Sequence, residues 1–539
     1  MNKKILIPII IEVILILIGY YFTLPAINPT SIGFWAFIVI NLAIYGVMAG
    51  LAQYGTLSQT EIKVRKKEKA TKGDLIVIIP FSAIFIIVLG ILVVNFILSP
   101  LFNARSYSER IAVDETGDFA KDIAEVDFNA LPLLDKDSSQ KLGDRVMGQF
   151  SEFVSQYYVS DQYTQINYNN EILRVTPIEY DGLIKWIANR GEGIKGYIKV
   201  NSVTGAAELV KLEKGLKYMP SGYFNDNLKR KLRFTYPTEI FGEERFEIDN
   251  EGNPYWIVPT YGYTGINIKT RVTGVIILNP ITGESKKYDL KDVPEWVDNA
   301  YNAALIIEQV DDWGTYKGGF LNSIFAQKNV VNTTEGYNYL AMNDDIYLYT
   351  GITSVSTDES NQGFILSNMR TGKTTYYTVA GAEEFSAMAS AEGQVQQMKY
   401  TSTFPLLINL NGKATYLVSL KDDAGLVKMY GFVDVADYQK VVVTDSSKGI
   451  LTAAQNYLDS YGQGGVVSDT MVTEEITIKT ITSASIKGNT FYYITDTQGK
   501  KYKVSIELSD NLPFIKVNDK ITVEYEDKNK EVETITKIS

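Results

Sequence analysis

Three long apolar runs in the first hundred residues constrain this chain more than any other feature of its sequence. The runs cover about residues 5–22, 33–55 and 75–100, and the first contains one charged residue, Glu12. Each is close to the roughly 20 residues that a helix needs to cross a hydrocarbon layer about 30 Å thick. We therefore predict three transmembrane helices in residues 1–100. The first run is alternatively a cleaved signal peptide, although its apolar core is long and no small-residue cleavage pattern follows it.

Basic residues predict how these helices are oriented. Two lysines precede the first run and six basic residues separate the second from the third, whereas the loop after the first run is uncharged. Loops rich in Lys and Arg stay in the cytoplasm, so we expect a cell-membrane protein with a cytoplasmic N-terminus and an extracellular region after about residue 100. The basic loop is alternatively a binding surface for anionic lipid headgroups. The basic residues are Lys3, Lys4, Lys63, Arg65, Lys66, Lys67, Lys69 and Lys72.

Two absences limit the chemistry of the chain. Its 539 residues include no Cys and no His. The chain therefore cannot form disulfides, thiolate nucleophiles, Cys–His zinc sites or the Ser-His-Asp and HExxH constellations of hydrolases. After residue 100 it contains 44 basic and 59 acidic residues, a net charge of about −15, without the clustered positive charge that nucleic-acid binding needs. We expect no enzyme activity, no cofactor and no nucleic-acid partner.

Neighbouring acids are the remaining candidates for catalysis or metal binding. They occur at Asp311–Asp312, Asp344–Asp345 and Asp422–Asp423. Adjacent residues on a strand point to opposite faces, so no such pair forms a glycosidase dyad by itself. The loop Asn343–Asp345 could hold calcium, but it lacks the spacing of an EF-hand. We therefore assign no catalytic or metal-binding residue.

Glu12 is the acid that lies inside a predicted membrane span. An acid in this position costs about 2–4 kcal/mol unless it faces a partner or water. Asn41 in the second span and Asn95 in the third are candidate hydrogen-bond partners. Glu12 is then either a polar contact that locks the helix bundle or an oligomer, or an ion or proton site.

A ten-residue pattern occurs three times in the outer region: Gly, four residues, Asn, two residues, Thr-Gly. It reads GYIKVNSVTG at 196–205, GVIILNPITG at 274–283 and GFILSNMRTG at 363–372. Asn and Gly supply the positive φ angles of tight turns, so the pattern predicts a strand that runs into a turn in three repeated α+β modules. Its defining residues are Gly196, Asn201, Thr204, Gly205, Gly274, Asn279, Thr282, Gly283, Gly363, Asn368, Thr371 and Gly372.

The second copy resembles a PepSY module. A helix is followed by the hairpin residues GNPYWIV at 252–258 and by GVIILNPITGE at 274–284, and the match covers 223–290. The resemblance implies a helix packed on a small antiparallel sheet, as in cystatin-like folds, and a role in binding or in regulating a peptidase outside the cell. With blocks such as PTEIFGEERFEIDNEGNPYWIVP at 237–259 and KDVPEWVDNAY at 291–301, the whole chain also resembles membrane-anchored surface proteins of Gram-positive bacteria. Weaker or altered copies of the module cover 140–212, 336–379 and 404–443.

These patterns divide the chain into seven predicted parts. Three transmembrane helices lead through a polar stalk to four PepSY-like modules. The last part alternates with a period of two residues, which is typical of a small all-β barrel of the OB or SH3 type. Phe491, Tyr492 and Tyr493 are candidate stacking residues there, unless the barrel is a structural cap. The predicted boundaries are 1–100, 101–137, 138–215, 216–300, 301–380, 381–460 and 470–539.

Two tryptophans complete the set of candidate site residues. Trp296 and Trp313 lie between the second and third modules, flanked by acids and glycines. They form either a platform for sugar or peptide or part of the core beneath the neighbouring sheets. We predict a membrane-anchored extracytoplasmic binding or scaffold protein that forms homo-oligomers or contacts an envelope protein. The alternatives are a regulator or inhibitor of an extracytoplasmic peptidase or envelope enzyme, and a transport or channel component.

Overall fold

The structure, a computed structural model, describes most of the chain. Of the basic residues named above, those from Lys63 to Lys69 lie outside the described residues, as does Asn343 of the candidate calcium loop. The described residues are 3–55, 72–128, 131–342, 344–355, 360–461, 471–486, 489–509, 511–526 and 532–538.

Three N-terminal helices are long and apolar enough to cross a membrane. They are α1 (Lys3–Thr23), α2 (Ile32–Tyr54) and α3 (Lys72–Ile97). The helix α2 contacts both of the others, and at Gly46 the ring of Phe81 would lie 2.8 Å from an added Cβ atom. Most of their Ile, Leu, Val and Phe side chains point outward. An outward apolar surface of this length is suited to lipid rather than to water.

A short segment connects these three helices, called the membrane helices below for their length and composition, to the sheet units that follow, called the outer units after their predicted location. It comprises α4 (Pro100–Ser108), β1 (Val113–Gly117) and α5 (Phe119–Asp122). The aromatic and aliphatic residues that follow β1 are buried in the core of the units further along the chain, for example Phe119, Ile123 and Phe128. The segment therefore packs against the outer units.

The first unit is a five-stranded antiparallel sheet with a helix on one face. Its strands are ordered β2-β4-β5-β6, and β3 also pairs with β4. The helix α6 begins after Asp135, whose carboxylate accepts a hydrogen bond from the backbone N–H of Ser138 at 3.0 Å, and such a cap satisfies a free N–H of the first turn. The elements are α6 (Lys136–Met147), α7 (Ser151–Val154), β2 (Tyr157–Val159), β3 (Thr164–Tyr168), β4 (Glu171–Tyr180), α8 (Leu183–Asn189), β5 (Ile194–Asn201) and β6 (Ala207–Leu216).

The second unit has the same strand arrangement and shares its core with the first. Its strands are ordered β11-β10-β9-β7, and β8 also pairs with β9. Trp186 of the first unit and Trp256 of the second are buried in one continuous apolar cluster. The two units therefore close around one core. The elements are α9 (Leu228–Thr235), β7 (Ile240–Phe241), β8 (Arg245–Ile248), β9 (Pro254–Gly262), β10 (Arg271–Leu278) and β11 (Ser285–Tyr288).

The third unit is a larger sheet that the connecting segment extends. Its strands are ordered β1-β16-β15-β14-β12, with β13 also on β14 and β17 on β15. The pairing of β1 with β16 is parallel, and the other strand pairs of this sheet are antiparallel. The elements are α10 (Ala303–Tyr316), β12 (Val331–Thr333), β13 (Asn338–Met342), β14 (Asp345–Ser354), β15 (Ser360–Asn368), β16 (Thr374–Tyr377) and β17 (Gly381–Ala382).

The fourth unit again has a five-stranded antiparallel sheet. Its strands are ordered β18-β20-β21-β22, and β19 also pairs with β20. Tyr349 and Phe364 of the third unit lie in the same apolar cluster as Phe432 and Tyr457 of the fourth, so this pair of units also shares a core. The elements are α11 (Glu384–Gln394), β18 (Thr401–Ser402), β19 (Leu406–Leu410), β20 (Lys413–Lys421), β21 (Val427–Asp434), β22 (Val441–Asp445) and α12 (Ile450–Ser460).

The last five strands close into a ring in the order β23-β24-β25-β27-β26. Alternating apolar residues of these strands fill its interior, among them Tyr502 and Tyr525. The predicted fold class is confirmed: three apolar helices, four similar α+β sheet units and a final all-β unit. The elements are β23 (Met471–Ile486), β24 (Asn489–Asp496), β25 (Lys501–Ser505), β26 (Lys520–Glu526) and β27 (Glu533–Ile538). Single turns of other helix types occur at Phe224–Asp226, Leu290–Asp292, Asn322–Ala326, Gln396–Met398, Ser446–Lys448, Ile506–Leu508 and Leu512–Phe514.

Candidate functional site

The repeated sequence pattern forms the same turn in three units. In the second unit the side-chain oxygen of Asn279 accepts hydrogen bonds from the backbone N–H groups of Ile281 at 2.9 Å and Thr282 at 3.1 Å. The N–H of Gly283, at φ +74°, donates to the carbonyl of Asn279 at 2.8 Å. Equivalent bonds are made around Asn201 and Asn368. The Asn therefore organises the turn and the final Gly supplies its left-handed conformation.

The glycine that opens each copy has a separate role. It lies in a strand that the neighbouring strand approaches closely. An added Cβ atom at Gly196 would lie 2.9 Å from the carbonyl oxygen of Val210. An added Cβ atom at Gly274 would lie 2.4 Å from the carbonyl oxygen of Tyr288. At Gly363 the corresponding distance, to the Tyr377 oxygen, is 2.2 Å. A side chain would displace the adjacent strand, so the pattern serves the construction of the sheets.

The two candidate platform tryptophans lie in separate apolar clusters. Trp313 belongs to α10, is 7% exposed and packs against Tyr376, with 5.9 Å between ring centroids. Trp296 packs against Tyr255, with 5.1 Å between ring centroids. Each indole therefore has an aromatic neighbour within the protein.

The paired acids form local contacts. Asp311 accepts two hydrogen bonds from Thr333, at 2.8 Å to its N–H and 2.9 Å to its hydroxyl. Asp345 accepts two from the Arg370 guanidinium, at 2.7 and 2.9 Å. Asp422 accepts one from the N–H of Leu426 at 2.9 Å. These carboxylates hold strands and turns together. No group of three or more acids that could hold a metal ion occurs among the described residues.

The stacking residues proposed for the last unit are consecutive on β24. Phe491 lies against the Lys503 ammonium, which is 4.0 Å from the centroid of its ring. Tyr492 packs against the interior of the strand ring. Adjacent strand residues alternate between faces, so Phe491 and Tyr493 share the face opposite to Tyr492.

Glu12 lies in a crevice between α1 and α2. The residue is 7% exposed, and the crevice has a volume of about 410 Å³ and is also lined by Asn41 and Tyr45. Among the described residues its two carboxylate oxygens have no hydrogen-bond partner. The expectation that Asn41 or Asn95 bonds to Glu12 is wrong, because the Asn41 amide donates to the carbonyl of Phe37 in its own helix at 2.7 Å. Asn95 bonds instead to an outer loop.

That outer loop belongs to the second unit, which is hydrogen-bonded to the ends of the membrane helices. The Asn95 amide donates to the carbonyl of Ile266 at 2.9 Å, and the N–H of Ile266 donates back to Asn95 at 3.0 Å. The N–H of Asn267 donates to the carbonyl of Thr30 at 2.9 Å. The N–H of Ile27 donates to the carbonyl of Pro237 at 2.8 Å. Both the α1–α2 turn and α3 are therefore attached to this unit.

Two arginines of α9 cap the end of α1. Arg233 donates to the carbonyl of Leu24 at 3.0 Å, and Arg230 donates to that of Tyr21 at 3.2 Å. The Arg230 guanidinium also lies 4.3 Å from the centroid of the Tyr21 ring. The last carbonyls of a helix have no partner within the helix, and cationic side chains are favoured there. The basic sequence of α9 thus positions the second unit on the membrane helices.

A cleft of about 1000 Å³, the membrane-proximal cleft, opens beside this contact. Ligand pockets in proteins are typically about 300–1,000 Å³, so the cleft is large enough for a sizeable molecule. One wall belongs to the end of α1, and the opposite walls belong to the first and second units. Its lining includes Phe22, Leu24, Tyr158, Tyr180, Ser221, Tyr223, Phe224, Lys229, Arg230, Arg233, Glu244 and Val258.

A buried carboxyl group lies behind Ser221 in this wall. Ser221 donates to Glu179 through its hydroxyl and, at 3.1 Å, through its N–H. Burial raises the pKa of Glu179 to about 7, against the smaller opposing effect of these bonds. At the rim, Lys229 lies 3.6 Å from Glu244. The cleft thus presents aromatic surface, a hydroxyl and paired charges, a combination suited to binding an amphipathic molecule.

The short helix α8 exposes an apolar face next to the cleft. Leu183, Ile184 and Ile187 are 43%, 78% and 58% exposed, whereas Trp186 is buried against the rings of Tyr223 and Phe224. We predicted neither this surface nor the cleft from the sequence. The local signal for the exposed surface in the sequence is the three apolar residues Leu183, Ile184 and Ile187 around Trp186. No protein-family model matches the chain, and no curated protein sequence matches it.

Proposed function

We propose that this protein is a membrane-anchored binding protein of the cell envelope, with its outer units extracytoplasmic. One observation carries the proposal: the membrane-proximal cleft lies where the second unit is hydrogen-bonded to the end of α1. A molecule in the membrane surface has direct access to such a cleft. The ligand we propose is amphipathic, with its apolar part against Tyr223 and Phe224 and its polar part towards Ser221.

Site-specific photo-crosslinking in native membranes tests this proposal. A benzophenone amino acid replaces Tyr223, which is 38% exposed at the cleft, and in a matched variant Tyr438, which is 45% exposed in the fourth unit. We expect a discrete adduct at Tyr223 and none at Tyr438. Similar adducts at both positions, or none at Tyr223, would contradict a binding role for the cleft.

A scaffold role through self-association is a second candidate, and Glu12 supports it. An unpartnered carboxylate in a membrane crevice favours a further helix or a cation as its partner. We expect Glu12→Gln to reduce the size of the detergent-extracted particle if the partner is another copy. A change in ion flux with unchanged particle size would support the transport alternative instead.

Regulation of an extracytoplasmic peptidase is the third candidate, and it depends on the PepSY resemblance of residues 223–290. Its test is affinity purification from solubilised membranes. Repeated recovery of one peptidase would favour this role if a substitution at Gly274 in the second unit abolishes the recovery. A substitution at Glu12 should leave the recovery unchanged. Recovery of no envelope enzyme would count against it.

A further inference from the structure

A second cavity is lined by residues of all four sheet units and contains a buried arginine. Its volume is about 370 Å³. Arg174 of β4 lines it from the first unit, Tyr337 and Tyr339 from the third, and Leu417 and Ser419 from the fourth. The cavity is separate from the membrane-proximal cleft, since no residue lines both.

Arg174 is 7% exposed and forms no ion pair among the residues that the structure describes. Within the same residues its Nε–H has no hydrogen-bond partner. Directly across the sheet lies Gln165 of β3, whose Nε2 is also buried and unpartnered. Side chains of directly opposed strand residues lie on the same face. Tyr163 lines the cavity, and its hydroxyl, which lies beside Gly143 of α6, is the third unpartnered group.

Three unsatisfied polar groups in one buried region require an explanation, because proteins usually satisfy such groups. A guanidinium stays protonated in proteins, and a buried charge without a partner is strongly unfavourable. One of the nearby acids already has partners: the carboxylate of Asp135 caps α6 and forms an ion pair with Lys421. Asp137 also lines the cavity, without a hydrogen bond or ion pair to Arg174 in the described structure. The missing partner of Arg174 is therefore an anion.

We propose that this cavity binds a small organic carboxylate, held by the guanidinium of Arg174. A guanidinium fork matches a carboxylate with two parallel hydrogen bonds. The aromatic and aliphatic wall formed by Tyr337, Tyr339 and Leu417 suits an apolar body. The volume lies at the small end of the range for ligand pockets, which corresponds to a molecule of amino-acid size.

The second arginine and the acids of the cavity favour a single negative charge. Arg245 donates to Glu243 at 2.8 Å, so its charge is already paired. Asp135 and Asp137 line the same space and would repel a doubly charged phosphate more strongly than a carboxylate. The site is independent of the membrane-proximal cleft, and either can fail its test without affecting the other.

Calorimetric titration of the full-length protein in detergent tests the site. The probes are N-acetyltyrosine, acetate, N-acetyltyrosine amide and inorganic phosphate. We expect N-acetyltyrosine to bind at least tenfold more tightly than its uncharged amide. Arg174→Met should abolish this binding, whereas Arg271→Met, at an exposed arginine of β10 outside the cavity, should leave it unchanged.

Thermal unfolding in a buffer without small anions gives a second readout. Arg174→Met removes an unpaired buried charge while retaining a long side chain, so we expect its melting temperature to equal or exceed that of the wild type. A lower melting temperature together with no carboxylate binding by the wild type would overturn the proposal and assign Arg174 a structural role beside Asp137. Tighter binding of phosphate than of N-acetyltyrosine would overturn the assignment of a carboxylate ligand.

Discussion

Asn95 of α3 and Ile266 of the second unit exchange two hydrogen bonds, at 2.9 and 3.0 Å, although 171 residues separate them in the chain. The side-chain amide supplies both a donor and an acceptor to the backbone of one residue. If α3 crosses a membrane, a polar side chain at its end has few other partners, because lipid supplies none. This contact therefore attaches the second unit to the end of α3.

Asn95→Leu is expected to loosen this attachment. It removes two hydrogen bonds and leaves the N–H and carbonyl of Ile266 without their partner, at a cost of about 1–3 kcal/mol. Hydrogen exchange of the peptide that contains Ile266 should become faster. Asn41→Leu is the matched control, because the Asn41 amide donates to the carbonyl of Phe37 in its own helix. Unchanged exchange at Ile266 in the Asn95 variant would contradict the attachment.

Replacing the last glycine of the repeated turn with alanine should destabilise the protein by different amounts in different units. Gly205 and Gly283 have nearly equal positive φ angles, +73° and +74°. An added Cβ atom would lie 3.5 Å from Leu134 at Gly205 but 2.4 Å from the Tyr218 ring at Gly283. We expect Gly205→Ala to cost about 1 kcal/mol and Gly283→Ala about 2–3 kcal/mol. Thermal unfolding measures both, and equal losses would contradict the role given to Tyr218.

Glu179 should make the stability of the first two units depend on pH. Burial raises the pKa of this carboxyl group from 4.5 to about 7, so the fold favours its protonated form. The resulting stabilisation is fully present below pH 4.5 and is lost as pH rises through about 7. The full effect is on the order of 3 kcal/mol.

Glu179→Gln isolates this contribution. Both hydrogen bonds from Ser221 go to one oxygen of Glu179, which a glutamine can retain. We expect the melting temperature of the variant to fall less between pH 5 and pH 8 than the melting temperature of the wild type. Glu213→Gln, at an exposed position of β6, is the control. If the pH profiles of Glu179→Gln and the wild type coincide, the group does not titrate in this range.

The absence of Cys makes the proposed orientation directly testable. Single cysteines at Ser58, in the basic loop, and at Ser155, which is exposed in the first unit, give two labelling sites without background. A maleimide that does not cross membranes should label Ser155→Cys on intact cells and Ser58→Cys only after permeabilisation. The reverse pattern would invert the orientation that the basic residues predict.

Local patterns in the sequence predicted local structure well. The three apolar runs correspond to α1, α2 and α3, and the Asn-x-x-Thr-Gly turns have the expected conformation, with Gly205, Gly283 and Gly372 at positive φ. Both features depend on residues within about 25 positions of each other. Hydropathy and turn preferences act over such distances, so the chain reveals them without knowledge of its tertiary contacts.

Contacts between distant segments were not predictable in this way. The bonding of Asn95 to Ile266 and of Arg233 to Leu24 joins residues that are 171 and 209 positions apart. Neither sequence neighbourhood identifies its partner. The basic pattern of α9 predicts a helix, but its role as a cap for α1 depends on how the second unit packs. The cleft and the Arg174 cavity arise from the same long-range packing.

The sharing of cores between repeats determines how the outer region can be divided experimentally. Trp186 and Trp256 are buried together although they belong to different sheets, so a fragment that ends between β6 and α9 would expose the apolar face of its only sheet. Such a fragment is expected to aggregate, whereas a fragment that contains both sheets keeps its interior covered. The smallest autonomous folding piece is then a pair of repeats.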